Sequence, residues 1–187
     1  MTVKTPAQAL ALVKRAGLVT LAARVEGVPC FVEAVVGEPV RGSWWGHPQG
    51  KLIFALAEGL EDAREVLTLK LLDGKTTFVH RALWPALLAV VLDEGWRSAR
   101  GQRLSAGARS LWKKVELASR RGEAPEPVKE LEASLLVHVA SEHTEQGRHE
   151  KRLTSWGHWA KAQQVSPGKL SPDAAREKLK RGTATGL

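Results

Sequence analysis

Histidines and glutamates between positions 138 and 150 form the densest group of side chains that could coordinate a metal ion. The group consists of His138, Glu142, His143, His149 and Glu150. On a helix His138 and Glu142 would share a face, because they lie four positions apart, whereas His143 would point away from His138. The spacing has one residue too many for the inverted zincin motif and matches no other established site. We therefore expect no metal and no other cofactor, with surface histidines paired to glutamates as the simpler interpretation. His138, Glu142 and His143 are the candidate ligands if a metal does bind.

Residues suited to acid–base or nucleophilic catalysis are few. The chain has no Tyr and one Cys, and neither a catalytic triad spacing nor a glycine-rich phosphate loop occurs. His47 and His80 are the candidate catalytic residues. With Trp44, Trp45 and Arg81 they would line the site of a DNA-repair enzyme acting on bases or phosphodiesters, a glycosylase or a nuclease. We keep that enzyme as an alternative and favour a binding protein without catalytic activity.

The single cysteine and the short apolar runs bear on the compartment. Cys30 has no partner for an intramolecular disulfide, which fits a reducing compartment, and its apolar neighbours 28–32 predict a buried, inert thiol. The longest apolar run, 82–92, is far shorter than the roughly 20 residues of a membrane helix and contains Pro85. The first residues lack the apolar core of a signal peptide. We expect a cytoplasmic protein without a membrane partner.

Positive charge is concentrated in the C-terminal half of the chain. The net charge is +8, with residues 1–95 neutral, 96–121 at +7, 122–147 at −5 and 148–187 at +6. Two basic blocks of this kind attract polyanions, chiefly nucleic acid. The simpler interpretation is a solvated helix face with a disordered basic tail. A further alternative is a scaffold or interaction protein without nucleic acid, in which the acidic stretch pairs with the basic blocks within one chain or across a homodimer.

Local patterns in the first half predict three helices followed by a β-hairpin. Thr5 is a helix N-cap with Pro6 at the first helical position, and Asp73-Gly74 between two β-rich runs is a strong hairpin signal. Residues 18–25 are compatible with a strand or a short helix. The predicted elements are helices 7–15, 30–36, 47–64 and 82–92, a loop at 38–46, and strands 66–72 and 75–80.

Three helices and a hairpin are the element order of a winged helix-turn-helix. We therefore predict an α+β, mainly helical protein with a winged-helix-like domain at 1–95, in which helix 47–64 holds the recognition position and the hairpin is the wing. Basic residues on these elements would contact DNA phosphates, although strand-edge lysines also prevent strand pairing. Exposed indoles before the helix would stack on bases, although a cap on the core is the simpler interpretation. The candidate residues are Trp44, Trp45, Lys51, Lys70, Lys75 and Arg81.

The second half is predicted to be helical. Ser105 caps a helix that reaches Arg121, and apolar residues at 104, 108, 111, 115 and 118 form one stripe along it. Arg109, Lys113 and Arg120 lie off that stripe and are candidate phosphate contacts. Further helices are expected at 128–142 and 152–164, after a linker at 122–127. We divide this half into a helical region, 96–166, and a basic, partly disordered tail, 167–187, with a short helix from Pro172 and fraying at 182–187.

Residues 43–90 combine a pair of tryptophans, a helix, a glycine-containing hairpin and a basic residue before the next helix. Ser43-Trp44-Trp45 precedes a helix, Gly74-Lys75 lies in a hairpin, and His80-Arg81 leads into Trp84-Pro85. This quarter of the chain resembles the winged-helix segment of bacterial DNA glycosylases of the alkylpurine and crosslink-unhooking type. The resemblance implies a DNA-binding winged helix. It does not imply glycosylase activity, because the family's catalytic Gln-x-Gln or Gln-x-Asp motif has no counterpart; Gln163-Gln164 has the wrong spacing.

These patterns together predict a nucleic-acid-binding protein, with DNA as the favoured ligand. Since residues 1–95 are net neutral, the winged helix alone should bind weakly. Most of the affinity should then come from the basic helix at 105–121 and from the basic tail.

Overall fold

The chain folds into helices and short antiparallel strands. The computed structural model describes residues 2–121, 125–143 and 149–180, and at positions 142, 143 and 149 it describes the backbone only. The chain divides into two units: one contains residues up to Trp84 and from Glu177 onward, and the other contains 85–176. In the described residues no helix is both long and apolar enough to cross a membrane.

The first unit contains three helices and three strands. Thr5 caps the first helix as predicted, accepting a hydrogen bond from the Gln8 amide while the Gln8 side chain accepts from the Thr5 amide. The predicted helix 47–64 is shorter and begins at Gly50, after a 3-10 turn at Trp44–Gly46 in place of the predicted loop. The elements are α1 (Pro6–Ala16), β1 (Leu18–Thr20), α2 (Phe31–Val36), α3 (Gly50–Glu61), β2 (Val66–Leu72) and β3 (Lys75–His80).

The three strands form one antiparallel sheet in the order β1-β3-β2. Asp73 and Gly74 both have positive φ, 48° and 73°, which is the backbone of the predicted two-residue hairpin turn. Leu18 pairs with Val79, which decides the ambiguity at 18–25 in favour of a strand. Phe78, at the centre of β3, packs edge-on against Phe31 with ring centroids 5.6 Å apart. The sheet therefore covers the apolar faces of the three helices.

The second unit contains most of the remaining helices and a second sheet. After α4 (Trp84–Val91), which begins at the boundary, Asp93 caps a helix that the sequence analysis did not predict. Ser105 caps the next helix as predicted, accepting from the Ala108 amide. The elements are α5 (Glu94–Gly101), α6 (Ala106–Leu117), β4 (Arg120–Arg121), α7 (Pro125–Ser134), β5 (His138–His143), β6 (His149–Thr154), α8 (Trp156–Gln163) and α9 (Pro172–Lys180), which ends in the first unit's segment.

The all-helical prediction for residues 96–166 was wrong. Strands β4, β6 and β5 form an antiparallel sheet, so residues 138–142 and 152–154, expected in helices, are extended. Leu153 is fully buried in the apolar core of this unit, and pairing with Val139 fixes it there. The helix starts only at Trp156, where Ser155 provides the cap. The predicted linker residues 122–124 and the expected fraying at 182–187 lie outside the described residues.

The core of the second unit joins α6 and α7. Buried residues from both helices and from β6 form one cluster. The Glu130 carboxylate on α7 accepts hydrogen bonds from the Ser105 amide (2.7 Å) and hydroxyl (2.6 Å), which ties α7 to the start of α6. The buried Trp156 indole N–H donates to the Leu135 carbonyl at 2.7 Å. These contacts set the position of α6 within the unit.

The two units share an order of elements. In each, a helix leads into a short strand, a helix follows, and a hairpin closes an antiparallel sheet with its first strand beside its last. In this arrangement α3 in the first unit corresponds to α7 in the second. The similarity between the two units is one of topology.

Two glycines of α3 provide a matched test of this packing. A Cβ added at Gly50 would lie 2.9 Å from the Trp45 carbonyl oxygen and 3.2 Å from that of Trp44, whereas one at Gly59 would meet nothing within 4 Å. We expect Gly50→Ala to lower the free energy of unfolding by about 1–3 kcal/mol through overpacking. Gly59→Ala should raise it by about 0.5–1 kcal/mol through helix propensity. Urea unfolding followed by circular dichroism measures both, and equal effects would contradict the described turn.

Candidate nucleic-acid interface

Helices α5 and α6 of the second unit, and the turn between them, carry a concentration of cationic side chains. Arg103, Arg109, Lys113 and Lys114 are exposed, and Arg100 is half-buried; we call these five residues the basic surface. Arg109 and Lys113 lie off the apolar stripe of α6, as the sequence predicted, because Leu104, Ala108 and Val115 are buried. Arg120, the third predicted residue, lies on β4 and not on a helix, since α6 ends at Leu117 and Ala118 is extended.

The basic surface is not neutralised within the part of the chain that the structure describes. There the cation–carboxylate pairs of this unit within 4 Å involve other residues, such as Arg97 with Glu116 and Lys129 with Glu126. The Arg109 guanidinium donates to the carbonyls of Gln102 and Leu104, neutral groups that orient it without cancelling its charge. The positive charge of these residues therefore remains available to a ligand.

Two indoles contact arginines of α5, one of which belongs to the basic surface. The Arg100 guanidinium carbon lies 4.4 Å from the Trp96 ring centroid, and that of Arg97 lies 5.3 Å from the Trp112 ring. Arg100 also donates to the Ser134 carbonyl at 3.3 Å. Burial, and then the charge of Arg103, lower the pKa of the Arg100 guanidinium. The guanidinium groups of Arg100 and Arg103 thus lie close enough to repel each other.

Open grooves flank α5 on both sides. One, of about 460 Å³, is lined by Trp96, Arg100, Arg103 and Arg176 together with Asp93 and small residues. The other, of about 360 Å³, is lined by residues that include Arg109, Trp112 and Lys113. Arginine or lysine and tryptophan side chains that line one groove are suited to an anion attached to a planar ring. Helix α5 was not predicted from the sequence, although two local signals indicate it. Asp93 is a good N-cap residue, and Trp96 and Arg100 lie four positions apart, on one face of a helix.

The predicted basic residues of the first unit are dispersed over several elements. Lys51, Lys75 and Arg81 are exposed, and Lys70 on β2 is half-buried. Arg81 follows β3, and its guanidinium lies 5.9 Å from the Trp84 ring. The exposed face of α3 also carries Glu58 and Glu61. These four cations therefore do not make one uninterrupted positive surface on α3.

The adjacent tryptophans before α3 have different environments. Trp44 is half-buried against the apolar core, as expected for a cap, whereas Trp45 is 64% exposed. Their rings stack with centroids 4.1 Å apart and planes 22° from parallel. Phe54, which the sequence analysis did not single out, is 46% exposed and lies 5.6 Å from the Trp45 ring.

The two candidate catalytic histidines serve local structure. His80 is buried, its Nδ1 accepts from the Ala82 amide at 3.3 Å, and it caps the 3-10 turn Arg81–Leu83. Desolvation lowers the pKa of His80, with smaller effects from nearby charges. His47 Nδ1 accepts from the Gln49 amide at 3.1 Å, just before α3. Since burial keeps His80 from a substrate, these geometries do not assemble the catalytic site considered above.

The candidate metal cluster does not form the predicted helical arrangement. His138, Glu142 and His143 belong to strand β5, because the predicted helix 128–142 ends at Ser134. The side chains of Glu142 and His143 lie outside the described residues. His138 packs against two indoles in a triangle of rings, with its centroid 5.7 Å from both Trp156 and Trp159. Among the described residues no group of three possible ligands is placed to hold a metal ion.

The described acidic side chains Glu126, Glu130, Glu132 and Glu150 are engaged within their own unit. Glu132 accepts from Lys151 at 2.5 Å, and Glu150 lies 3.1 Å from Arg121. Hydrogen bonds from Ser105 lower the pKa of Glu130. These contacts fit the interpretation in which acidic and basic residues pair within one chain. They do not involve the basic surface, whose residues pair with no acidic side chain in the described part of this unit.

No protein-family model, curated protein or solved structure matches this chain. The assignment of a function therefore depends on the geometry and charge described above.

The environment of His138 generates a prediction about pH. Burial against the two indoles lowers its pKa from 6.5 to about 4. The unfolded chain then takes up a proton near pH 6.5 and the folded chain only near pH 4, so stability falls as the pH falls through this window. The loss is at most about 3 kcal/mol.

His138→Phe keeps an aromatic ring and removes the titration. We expect the difference in unfolding free energy between pH 7 and pH 4.5, measured by urea denaturation, to shrink by about 2 kcal/mol in this variant. His80, whose pKa is also lowered, is present in both proteins and cancels in the comparison. The same pH dependence in both would show that His138 titrates as an ordinary, solvated histidine.

Proposed function

We propose that this protein binds nucleic acid, most favourably DNA, through the basic surface of α5 and α6. The observation that carries the proposal is the set of cations there that no carboxylate of the described unit neutralises. A polyanion gains from such a surface in two ways, through direct contacts to phosphate and through release of its condensed counterions. The exposed Arg103, Arg109 and Lys113 are the residues that we expect to contact phosphate.

The order of elements in the first unit supports a winged-helix interpretation. The unit has three helices, with strand β1 between the first two, and ends in a hairpin whose last strand pairs with β1. This order is the one expected of a winged helix-turn-helix. The resemblance of residues 43–90 to DNA glycosylase winged helices supports DNA over RNA as the ligand. It lends no support to glycosylase activity, because the catalytic motif is absent from the sequence.

Electrostatics favour α6 over the helix in the recognition position. Helix α3 has one lysine, Lys51, against Glu58 and Glu61, and the corresponding α7 has Lys129 against Glu126, Glu130 and Glu132. Negative charge on a helix opposes its entry into a groove lined with phosphates. We therefore propose that backbone contacts through α5 and α6 dominate the affinity, which makes binding strongly dependent on salt and weakly dependent on sequence.

A matched pair of lysines tests this surface. Lys113 lies on α6 without a carboxylate partner in the described part of the chain, whereas Lys129 on α7 pairs with Glu126 at 2.8 Å. We expect Lys113→Ala to reduce the slope of log affinity against log salt by about 0.9 on duplex DNA, the loss of one phosphate contact. Lys129→Ala should leave the slope unchanged. Fluorescence anisotropy with a labelled duplex at several salt concentrations measures both.

Combining Arg103→Ala, Arg109→Ala and Lys113→Ala should lower the slope by about 2.7, if each residue contacts one phosphate. All three side chains are exposed, so thermal unfolding should be little changed. Wild-type slopes retained by the triple variant would show that the basic surface is not the contact surface. Failure of the wild-type protein to bind duplex or single strands at low salt would contradict the proposed function as a whole.

A further inference from the structure

Three aromatic side chains form an exposed group at the start of α3. Trp45 is 64% exposed and Phe54 46% exposed, which places a large apolar area in water at one spot. Exposed tryptophan is uncommon, and a contiguous aromatic surface of this kind usually serves an interaction. We call Trp44, Trp45 and Phe54 the aromatic platform.

The platform is fixed before any ligand arrives. Trp44 is packed against the core of the first unit, and Trp45 stacks on it at a centroid distance of 4.1 Å. The 3-10 turn that carries both residues lies against Gly50, where a Cβ would approach the Trp45 carbonyl oxygen to 2.9 Å. Helix α3 holds Phe54 beside the outer indole. A ligand therefore meets a rigid aromatic surface and little ordering entropy is lost on binding.

Lysines lie near the start of α3, whose first turn contains no acidic residue, and the exposed Glu58 follows one turn after Phe54. Lys51 is exposed in that turn. A second ammonium group, that of Lys4, is held at the N-terminus of α3 by hydrogen bonds to the side chain of the N-cap residue Gln49 and, at 2.8 Å, to the Val35 carbonyl. Neither lysine has a carboxylate partner among the described residues. An aromatic surface next to lysines complements a ligand with both a planar ring and a negative charge.

We infer that the aromatic platform binds an unpaired nucleobase, with Lys51 and Lys4 beside the adjoining phosphates. The inference rests on the proposed nucleic-acid binding and specifies the substrate class: strands with a single-stranded, bulged or frayed base. Bases within a duplex have both faces covered by their neighbours, so only an unpaired base can stack on the exposed Trp45 indole. Stacking accepts every base, which predicts little sequence preference at this position.

A fluorescent base tests the inference. The probe is a duplex with one bulged 2-aminopurine, whose emission is quenched when it stacks on an aromatic ring, compared with the same duplex carrying the analogue in a base pair. We expect the wild-type protein to quench the bulged probe further and to bind it more tightly than the paired one. Trp45→Ala should abolish the added quenching and weaken binding to the bulged probe by at least about five-fold.

Two further variants separate stacking from simple apolar burial. Trp45→Phe retains a ring and should keep part of the quenching, whereas Trp45→Leu retains apolar area without a ring and should lose it. Trp45 is largely exposed, so unchanged thermal unfolding is expected and should be verified for each. Equal quenching by wild type and Trp45→Ala, with the duplex still bound, would contradict base binding by the aromatic platform. It would not contradict nucleic-acid binding by the basic surface.

Self-association through the platform would also overturn the inference. Light scattering that finds a wild-type dimer converted to monomer by Trp45→Ala, with the oligonucleotide response unchanged, would identify a second copy as the occupant. Absence of binding by wild type to any probe would instead contradict the proposed function itself. The two failures are therefore distinguishable.

Discussion

Like charges on adjoining helical turns repel, and α5 and α6 hold several cations without carboxylates to offset them. The protein tolerates this repulsion by anchoring the arginines to other groups. Trp96 lies under Arg100, the Ser134 carbonyl accepts from the same guanidinium, and carbonyls before α6 accept from Arg109. These contacts orient the charge without cancelling it, so the positive potential persists until salt or a polyanion screens it.

The fold of the second unit positions this surface. Glu130 on α7 accepts hydrogen bonds from Ser105, the N-cap residue of α6. The shared apolar core keeps Ala108 and Val115 inward, which leaves Arg109 and Lys113 outward. A single acidic side chain thus contributes to the presentation of a basic surface by acting on a helix cap. The first unit presents a different surface, because α3 carries the acidic residues Glu58 and Glu61 and the exposed group beside it is aromatic. On this account the second unit contributes affinity and the first discriminates unpaired bases.

Local chemistry could be predicted well from the sequence, and long-range pairing could not. The cap at Thr5, the hairpin at Asp73-Gly74 and the cap at Ser105 each follow from a few neighbouring residues. The last three residues of β6, 152–154, were predicted as the start of a helix because Leu153 and Trp156 have a helical spacing. Pairing with β5 and β4 instead makes Leu153 extended and buried. Pairing partners distant in the chain leave no local signal.

The candidate site was predictable in part for the same reason. Arg109 and Lys113 lie off an apolar stripe that is visible in the sequence, and both are exposed as expected. Phe54 could not be singled out, because its exposure depends on which face of α3 meets the core. The separation of Trp44 from Trp45, one packed and one exposed, depends on the 3-10 turn that precedes the helix.

The most direct test of the central claim is amide hydrogen exchange of the full chain with and without a saturating duplex at low salt. The account predicts slower exchange across α5 and the first turns of α6, with little change along α7. Exchange that slows along α7 and the acidic end of α3 while α5 and α6 stay unchanged would contradict it, because the contact surface would then be the acidic helices and not the basic surface.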